Sequence, residues 1–259
     1  MSRPELAVGA HVAPEHPLED AEALDADCVQ VFLSDPQGWE KPPARADAEE
    51  LRGSDLPLYV HAPYLINVCS PKNNVRHGSR KILQQTCEAA AEIAAAAVVV
   101  HPGHAEDGIR AGVDRWVRTL DMLQTGVPLY IENTAGGENA VARRFDALAR
   151  LWEAVSEAEA EIGFCFDTCH AHAAGEELSD VVERVLAIVG GIDLLHANDS
   201  RDPPGTGADR HANLGKGEIG ADVLRNMIGA ARAPVICETP GGAKAMRADL
   251  AFVRAALDT

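Results

Sequence analysis

Short apolar runs alternate with longer, alanine-rich segments that carry most of the charged residues, and this alternation extends along the whole chain. Eight of these runs contain four to six residues each and are almost wholly apolar. Such runs are typical of parallel strands that are buried on both faces. They are Leu6–His11, Cys28–Leu33, Leu58–His61, Ala97–His101, Leu129–Glu132, Gly163–Asp167, Leu194–Asn198 and Val235–Glu238.

The segments between the runs have the pattern of helices that bury one face. Residues 79–95 are predicted to form such a helix, because apolar side chains recur there at helical spacing. They are Leu83, Cys87, Ala90 and Ala94. Strand and helix signals repeated eight times favour an α/β fold of the (β/α)8 TIM-barrel type over an open doubly wound sheet. No G-x-G-x-x-G turn follows the first strand, which argues against a dinucleotide-binding fold.

The chain has 259 residues and matches the roughly 250 residues typical of a TIM barrel, so we expect one barrel domain over residues 1–259. Its start lacks an apolar run behind basic residues, and no run approaches the roughly 18 apolar residues of a membrane span. We therefore expect a cytoplasmic protein. The cysteines are expected to be reduced and buried rather than disulfide-bonded. They are Cys28, Cys69, Cys87, Cys165, Cys169 and Cys237.

The charge of the chain is strongly acidic. It has 40 acidic and 23 basic residues, for a formal net charge of −17. Most DNA-binding domains are basic, so the total charge by itself argues against DNA binding. A local basic rim or bound metal ions could still supply positive charge where a phosphate must lie.

Residue types that bind metals recur at the carboxyl ends of the predicted strands. In a TIM barrel these ends all face one mouth, so residues far apart in sequence converge there. A lone His or Asp at a strand end is more often structural than a ligand. Six successive strands with such a residue instead indicate a shared metal site. The six are His61, His101, Glu132, Asp167, His196 and Glu238.

Three further candidates lie in the loops beyond the strands. His170 follows Asp167 by three residues. Asp209 and His211 are two residues apart, so in an extended segment both could point the same way. Nine His, Asp and Glu side chains exceed what one tetrahedral zinc needs, and they suit two or three ions of zinc, iron or manganese. Cys165, inside a predicted strand, is interpreted as a packing residue.

Seven motifs resemble the signature stretches of the endonuclease IV family, in family order and across nearly the whole chain. Any one motif would be a weak signal, whereas the set is highly specific. The resemblance is strongest toward actinobacterial members, which fits the acidic, alanine-rich composition. The motifs are His61-Ala-Pro-Tyr-Leu-Ile-Asn67, His101-Pro-Gly103, Ile131-Glu-Asn-Thr-Ala-Gly136, Phe166-Asp-Thr-Cys-His-Ala171, His196-Ala-Asn-Asp199, Asp209-Arg-His211 and Leu214-Gly-Lys-Gly217.

The resemblance implies a centre of three zinc ions, with Mn²⁺ or Fe²⁺ as alternatives at some positions. This chain has a residue of the family type at all nine ligand positions. The implied groups are His61, His101 and the bridging Glu132; Asp167, His196 and Glu238; and His170, Asp209 and His211.

The implied activity is that of a hydrolase in base excision repair. It would cut double-stranded DNA on the 5′ side of an abasic site and leave a 3′-hydroxyl. We expect the attacking hydroxide to lie beside Glu132 and to be oriented by Glu238. We also expect a monomer without an obligate protein partner, associated with the nucleoid when it acts on DNA.

Candidate DNA contacts lie near the ligands. Tyr64 and Leu65 follow His61 and are candidates to fill the gap left by a flipped-out abasic nucleotide; the alternative is plain packing at the barrel mouth. Asn67 closes the same motif and is a further candidate. Phosphate contacts are expected from a basic stretch that has no acidic residue between Pro71 and Gln85, and from the loop that carries two ligands. The basic residues there are Lys72, Arg76, Arg80, Lys81, Arg201, Arg210 and Lys216.

One segment departs from the family pattern. Many members carry Asn-Pro-Arg followed by Trp after the second strand, and the arginine probes the duplex. Here the segment is Asp35-Pro-Gln-Gly-Trp39, so Gln37 stands where that arginine is usual. Gln37 can donate and accept hydrogen bonds but carries no charge, which predicts weaker or more salt-sensitive DNA binding.

Two other classes of protein remain as alternatives. A sugar isomerase or epimerase of the same barrel superfamily would use one divalent metal, and the acidic charge favours it. The loop candidates His170, Asp209 and His211 oppose it, since one metal would not need them. A non-catalytic metal-binding or DNA-binding protein is disfavoured, because ligands around an open mouth are typical of catalytic sites. Preference among abasic, oxidised-base and blocked 3′ ends is left open.

Overall fold

The computed structural model describes residues 6–258. Within them lie β1 (Val8–His11), β2 (Cys28–Phe32), β3 (Leu58–His61), β4 (Ala97–Val100), β5 (Leu129–Glu132), β6 (Ile162–Asp167), β7 (Leu194–His196), β8 (Asp199–Ser200), β9 (His211–Ala212) and β10 (Val235–Cys237). Eight of these strands close a parallel barrel in the order β1-β10-β7-β6-β5-β4-β3-β2. The predicted TIM barrel is therefore confirmed.

Helices connect the strands and surround the barrel. They are α1 (Pro17–Leu24), α2 (Ala48–Gly53), α3 (Asn73–Glu92), α4 (Ile109–Leu120), α5 (Phe145–Val155), α6 (Thr168–Ala174), α7 (Val181–Val189), α8 (Ala221–Ala231) and α9 (Ala243–Leu257). Large side chains such as Trp116, Phe164 and Phe166 fill the layer between barrel and helices without solvent exposure. Among residues 6–258, every helix is too short or too polar to span a bilayer.

Alternation along the strands decides what faces the barrel interior. One small cluster of buried side chains lies inside: Cys28, Tyr59, Ala97, Val99, Cys165, Leu194 and Ile236. Because side chains alternate between the two faces of a strand, the residue two places further along faces the interior one layer nearer the mouth. His61 stands two residues after Tyr59, and Asp167 two after Cys165. Inside the barrel, a layer of apolar side chains therefore lies directly below a layer of polar side chains at the mouth.

Glycine is required where β1 approaches β2. A Cβ atom at Gly9 would lie 1.8 Å from the carbonyl oxygen of Cys28, a distance that no side chain tolerates. The two strands pair so that His11 lies beside Gln30. The close approach thus brings two polar side chains together at the edge of the mouth.

Element boundaries differ from the sequence prediction at several ends. Helix α3 covers Asn73–Glu92 rather than residues 79–95. The prediction missed the first turns of the helix because their residues are mostly polar and show no apolar spacing from which a helix could be predicted. The helix ends earlier because Ala94 has φ 53°, and the backbone N–H of Ala95 turns back to the carbonyl of Ala90. Ala94 is accordingly exposed, although Leu83, Cys87 and Ala90 are buried as predicted.

Two predicted ligands lie one residue beyond their strands. Strand β4 ends at Val100, and the His101 that follows it precedes Pro102, which has no N–H to donate to a sheet. Strand β10 ends at Cys237, because the N–H of Glu238 donates to a side chain, Oδ1 of Asn198, rather than to a strand. Both side chains still lie at the mouth. All six cysteines are free and buried, as predicted.

Candidate metal centre

Glu132 lies at the centre of the barrel mouth and has no exposed surface. Its Oε2 atom lies 3.2 Å from Nε2 of His61 and 3.0 Å from Nε2 of His101. Its Oε1 atom lies 3.2 Å from Nδ1 of His170 and 3.0 Å from Nδ1 of His196. One carboxylate therefore contacts imidazoles from four parts of the chain, which is the position of a bridging ligand.

Backbone carbonyl groups orient three of the candidate histidines. Nδ1 of His61 lies 2.7 Å from the carbonyl oxygen of the next residue. Nδ1 of His170 lies 2.8 Å from the carbonyl oxygen of Asn133. Nδ1 of His211 lies 3.2 Å from the carbonyl oxygen of Glu238. Because a carbonyl only accepts, each Nδ1 keeps its proton, and each Nε2 is the atom available to a metal or a second proton.

The loop ligands pass a test of fit for a metal ion. Nε2 of His170 and Nε2 of His211 are buried, yet neither makes a hydrogen bond with any residue between 6 and 258. Oδ1 of Asp209 lies 3.2 Å and 3.0 Å from these two atoms, but at angles that form no hydrogen bond. Leaving buried polar atoms unpaired is costly. Two such atoms that converge on one carboxylate oxygen without bonding to it fit a cation between the three.

The antiparallel pair β8–β9 brings these loop residues to the mouth. His211 begins β9, and Asp209 lies two residues before it with 43% of its side chain exposed. Pairing of Ser200 with His211 folds this loop back over the barrel. Asp209 and His211 point the same way, as their spacing predicts.

Amide side chains hold two of the carboxylates. Oδ1 of Asp167 accepts the backbone N–H of His170 at 2.7 Å, which caps helix α6. Oδ2 of Asp167 accepts from Nδ2 of Asn198 at 2.7 Å. Asn198 also donates to Oε2 of Glu238 at 3.3 Å. One asparagine therefore sets the spacing between carboxylates from β6 and from the end of β10.

The ligand atoms gather in overlapping groups whose members lie within 4.8 Å of one another. Side chains from at least three segments contribute to each group. The groups without cysteine are His61, His101 and Glu132; Glu132, Asp167, His196 and Glu238; and Asp167, His170 and His211. All nine residues singled out by sequence therefore meet at one mouth, since Asp209 contacts the last group. Such His and carboxylate groups suit zinc and related divalent ions.

The surrounding carboxylates hold protons on the loop histidines. Burial alone would lower the pKa of His170, but the charges of Asp167 and Asp209 outweigh it and raise that pKa well above its usual value. Burial also opposes protonation of His211, yet its contact with Asp209 and the charge of Asp167 raise its pKa to about 9. A divalent cation at this place would displace these protons.

The two candidate catalytic carboxylates stay ionised. Burial would raise the pKa of Glu132, but the charges of His101 and His196 hold it well below its usual range. Burial opposes ionisation of Glu238 too, but the charge of His196 outweighs it and lowers the pKa of this carboxyl. Both side chains are therefore acceptors only, as metal ligands must be.

Two cysteines lie within reach of these groups. Cys165 is near Glu132 and His196, and Cys169 is near Asp209 and His211. Burial raises the pKa of each thiol to about 12, so both remain protonated at neutral pH. Cys165 belongs to the apolar layer inside the barrel, as the sequence interpretation expects.

Tyr64, Leu65 and Asn67 lie on the loop after β3, beside the ligands. Tyr64 is 48% exposed, and its ring centroid lies 5.4 Å from that of His61 and 5.7 Å from that of His101. Leu65 is half-buried. Asn67 is buried, and its Oδ1 accepts backbone N–H groups of its own loop and of His104. These residues border a cleft of about 480 Å³ that reaches His101, His170 and Asp209.

The segment with Gln37 is attached to the same loop. Gln37 is exposed, and its backbone N–H donates to Oδ1 of Asp35 at 2.9 Å. The N–H of Tyr64 donates to the carbonyl of Pro36 at 2.9 Å. Trp39 packs close to α3 at Gly78, where a Cβ atom would lie 3.2 Å from the indole. Gln37 and Tyr64 are therefore held side by side at the mouth.

Two of the basic candidates for phosphate contact form ion pairs in the folded chain. Nζ of Lys72 lies 2.8 Å from Oε1 of Glu106, and both side chains are more than half exposed. Arg210 forms a two-pronged ion pair with Asp202. Lys216 is exposed. Of Lys72, Arg210 and Lys216, the first two are thus already paired with a carboxylate.

Sequence reasoning missed the amides that support the ligands. Gln30, Asn133 and Asn198 are fully or almost fully buried at the mouth. Gln30 had a readable signal, since it is a polar residue inside the apolar run Cys28–Leu33. Asn133 and Asn198 adjoin ligands within the motifs, but their partners come from other strands and give no signal in sequence.

Comparison with known proteins identifies the family of this chain. The family described as xylose isomerase-like TIM barrel matches residues 18–256. A protein named "Probable endonuclease 4" from Mycobacterium tuberculosis (strain ATCC 25177 / H37Ra) is 56% identical over 251 residues, which cover 96% of this chain and 98% of that one. This mycobacterial relative confirms the resemblance to actinobacterial members.

Two solved structures share the fold of this chain, but their sequences differ in how similar they are to it. Endonuclease IV from Thermus thermophilus superposes with a TM-score of 0.82 at 30% identity, covering 97% of this chain and 99% of that one. A D-tagatose 3-epimerase-like protein superposes with a TM-score of 0.78 at 20% identity, covering 98% and 97%. The second likeness shows the fold alone. The sequence relatives decide between them: the chain belongs to the endonuclease IV family of DNA repair nucleases, within the xylose isomerase-like TIM barrels.

Proposed function

We propose that this protein is a zinc-dependent endonuclease that hydrolyses the phosphodiester on the 5′ side of an abasic site and leaves a 3′-hydroxyl for base excision repair. The observation that carries this proposal is the convergence of nine His, Asp and Glu side chains on one barrel mouth in a chain of this family. Phosphodiester hydrolysis is very slow in water, so a site must supply well over about 15 kcal/mol of barrier reduction.

We infer that the nine residues hold three divalent cations, with zinc as the main species and Mn²⁺ or Fe²⁺ as alternatives at some positions. When bound, such ions supply a hydroxide nucleophile at neutral pH, neutralise the phosphate and stabilise the leaving oxygen. The fit rests on the unpaired Nε2 atoms of His170 and His211 and on the ionised carboxylates of Glu132 and Glu238.

Within this site, Glu132 and Glu238 have different tasks. Glu132 is fully buried among four imidazoles, so its role is to hold the ligands of two groups at a fixed spacing. The Glu238 side chain is 13% exposed, so it is the carboxylate that can reach the attacking water and orient it. Both stay ionised at neutral pH, so neither needs to lose a proton before substrate arrives.

The substrate is a duplex with a missing base. An abasic nucleotide has no stacking or pairing to lose, so flipping it out costs a few kcal/mol less than flipping an intact one. The cleft of about 480 Å³ beside the ligands could receive it. Tyr64, 48% exposed above His61 and His101, and its neighbour Leu65 are placed to enter the gap in the duplex. Asn67 orders their loop through its backbone contacts.

Phosphate contacts are assigned to Lys72, Arg210 and Lys216, with Gln37 as an uncharged contact beside Tyr64. The first two must exchange a carboxylate partner for a phosphate, so their net contribution is small. The metal ions therefore supply most of the local positive charge in a chain of net charge −17. We further propose a monomer without an obligate protein partner, acting on nucleoid DNA in the cytoplasm.

The deciding experiment uses a duplex with one abasic analogue. We expect incision on its 5′ side, loss of incision with a chelator, and recovery when zinc is restored. A duplex with an intact nucleotide at that position should stay uncut. Elemental analysis should give close to three metal ions per chain, whereas a value near one with no incision at any salt concentration would favour the sugar isomerase instead.

A further inference from the structure

One candidate metal ligand, His196, is oriented differently from the others. His61, His170 and His211 present Nε2 to the centre because backbone carbonyls hold their Nδ1 atoms. The ring of His196 is reversed: its Nδ1 lies 3.0 Å from Oε1 of Glu132 and 3.4 Å from Oε2 of Glu238. Its Nε2 faces away from the carboxylates.

The partner of that Nε2 atom is a side chain. Oε1 of Gln30, on β2, lies 2.9 Å from Nε2 of His196. The two residues are 166 positions apart in sequence, and neither has any exposed surface. A substitution cannot remove a backbone carbonyl, but it can remove this amide.

The direction of the Gln30 amide is decided by its other contacts. Its Nε2 atom lies 2.7 Å from Oε1 of Glu238 and 3.0 Å from Nδ1 of His11. A carboxylate only accepts, so the amide nitrogen must face Glu238 and the amide oxygen must face His196. An amide oxygen also only accepts, so the proton of His196 must sit on Nε2, which leaves Nδ1 for a metal.

We propose that Gln30 is a positioning residue that sets the tautomer of His196 and holds Glu238 in the same metal group. It contacts neither substrate nor metal and acts through these two ligands. Asn198 holds the other oxygen of Glu238, so this carboxylate is fixed from both sides. The inference rests on the proposed metal centre and adds to it the group that orients one ligand. Removing such supporting groups typically lowers metal affinity or activity by about 10- to 100-fold.

The first test replaces Gln30 by methionine, which has a similar length and cannot make these hydrogen bonds. We expect the Q30M protein to bind one of its zinc ions about 10- to 100-fold more weakly in competition with a chromophoric chelator. The matched control is Val31→Ala, the next residue of β2, which is 1% exposed and faces the helices. It should lower thermal stability but leave zinc affinity unchanged.

A second measurement needs no substitution. In the zinc-loaded wild-type protein with ¹⁵N-labelled histidine, long-range proton–nitrogen spectra show which ring nitrogen carries a proton. We expect His196 alone among these four histidines to carry it on Nε2. A proton on Nδ1 of His196 would overturn the inference, and so would equal zinc affinity in wild type and Q30M.

These results separate the inference from the function it rests on. If the wild-type protein takes up no zinc, the metal centre itself fails. If the wild type binds zinc and cuts the abasic duplex while Q30M binds every zinc as tightly, only the role of Gln30 fails. If Q30M does not fold, the spectra of the wild type still decide.

Discussion

The floor and the rim of the barrel mouth are built in opposite ways. The floor consists of the nine candidate ligands, of which His61, Glu132, Asp167, His170 and His196 are at most 2% exposed. The rim consists of Gln37, Tyr64, Leu65, Lys72, Arg210 and Lys216, which are half-buried or exposed. In the floor, hydrogen bonds come from carbonyls and buried amides. In the rim, surface carboxylates hold two of the three cations.

This difference separates chemistry from recognition. Buried ligands with fixed partners keep their geometry before substrate arrives, which electrostatic catalysis requires. Exposed ion pairs contribute little to stability and break readily, so a cation of the rim can exchange its carboxylate partner for a phosphate. Changes to the floor should therefore be nearly all-or-none, and changes to the rim should be graded and sensitive to salt.

The largest effect is expected from Glu132→Ala. It removes the carboxylate that contacts His61, His101, His170 and His196, so metal should be lost from two groups at once. Incision of an abasic duplex should fall about 1000-fold or more, equivalent to about 4 kcal/mol of transition-state stabilisation. Glu161→Ala, an exposed carboxylate just before β6 at the other end of the barrel, is the control and should keep full activity.

A smaller but still large effect is expected from pH on zinc binding. In the metal-free protein the pKa of His211 is about 9, and that of His170 is well above its usual value, so both are protonated at neutral pH. Zinc must displace the protons on both rings, so apparent affinity should rise by more than about tenfold per pH unit as pH increases from 7 to 8.

Calorimetry in buffers of different ionisation enthalpy measures this proton release directly. The slope of the observed enthalpy against buffer enthalpy gives the number of protons that leave. A slope of zero, together with pH-independent affinity, would show that the metal displaces no protons from these histidines.

The rim should respond more weakly to Gln37→Arg. This restores a cation beside Tyr64 and should tighten binding of an abasic duplex about fivefold near 0.1 M salt. The slope of log affinity against log salt should steepen by about 0.9, the value of one added phosphate contact. Gln124→Arg, exposed after α4 at the opposite end of the barrel, adds the same charge and should change neither quantity. Unchanged affinity and cleavage in Q37R would mean that position 37 does not face DNA.

The smallest effect is expected from Glu106→Gln. This exposed carboxylate pairs with Lys72, and its pKa is lowered by that contact. Its neutralisation frees the lysine, so duplex affinity should rise about twofold at low salt and the gain should vanish at high salt. Glu161→Gln makes the same change of net charge away from the mouth. An equal gain in both variants would assign the effect to total charge rather than to Lys72.

The floor could be predicted largely from sequence, because each ligand ends an apolar run or lies in a motif beside one. His61 and Glu132 are read as the last residues of strands, and parallel strands in a barrel must end at one mouth. Asp209 and His211 required more, since the β8–β9 pairing that folds them inward depends on Asp199 and Ser200. The rim could be predicted only as a set of candidates. The partners Glu106 and Asp202 lie 34 and 8 residues from the cations they hold, and surface pairs have no sequence pattern.

The sequence by itself determined the barrel, the family and the residue types at the mouth, because period, run length and motif order are local properties of the chain. Only the tertiary structure decided which atom of each residue faces the centre. The ring of His196 is reversed relative to that of His61 because Gln30 from β2 meets it across the barrel, whereas a carbonyl beside His61 in the chain orients the other ring. Hydrogen-bond direction depends on which donor meets which acceptor in space, and strands 166 residues apart in sequence meet only when the barrel closes.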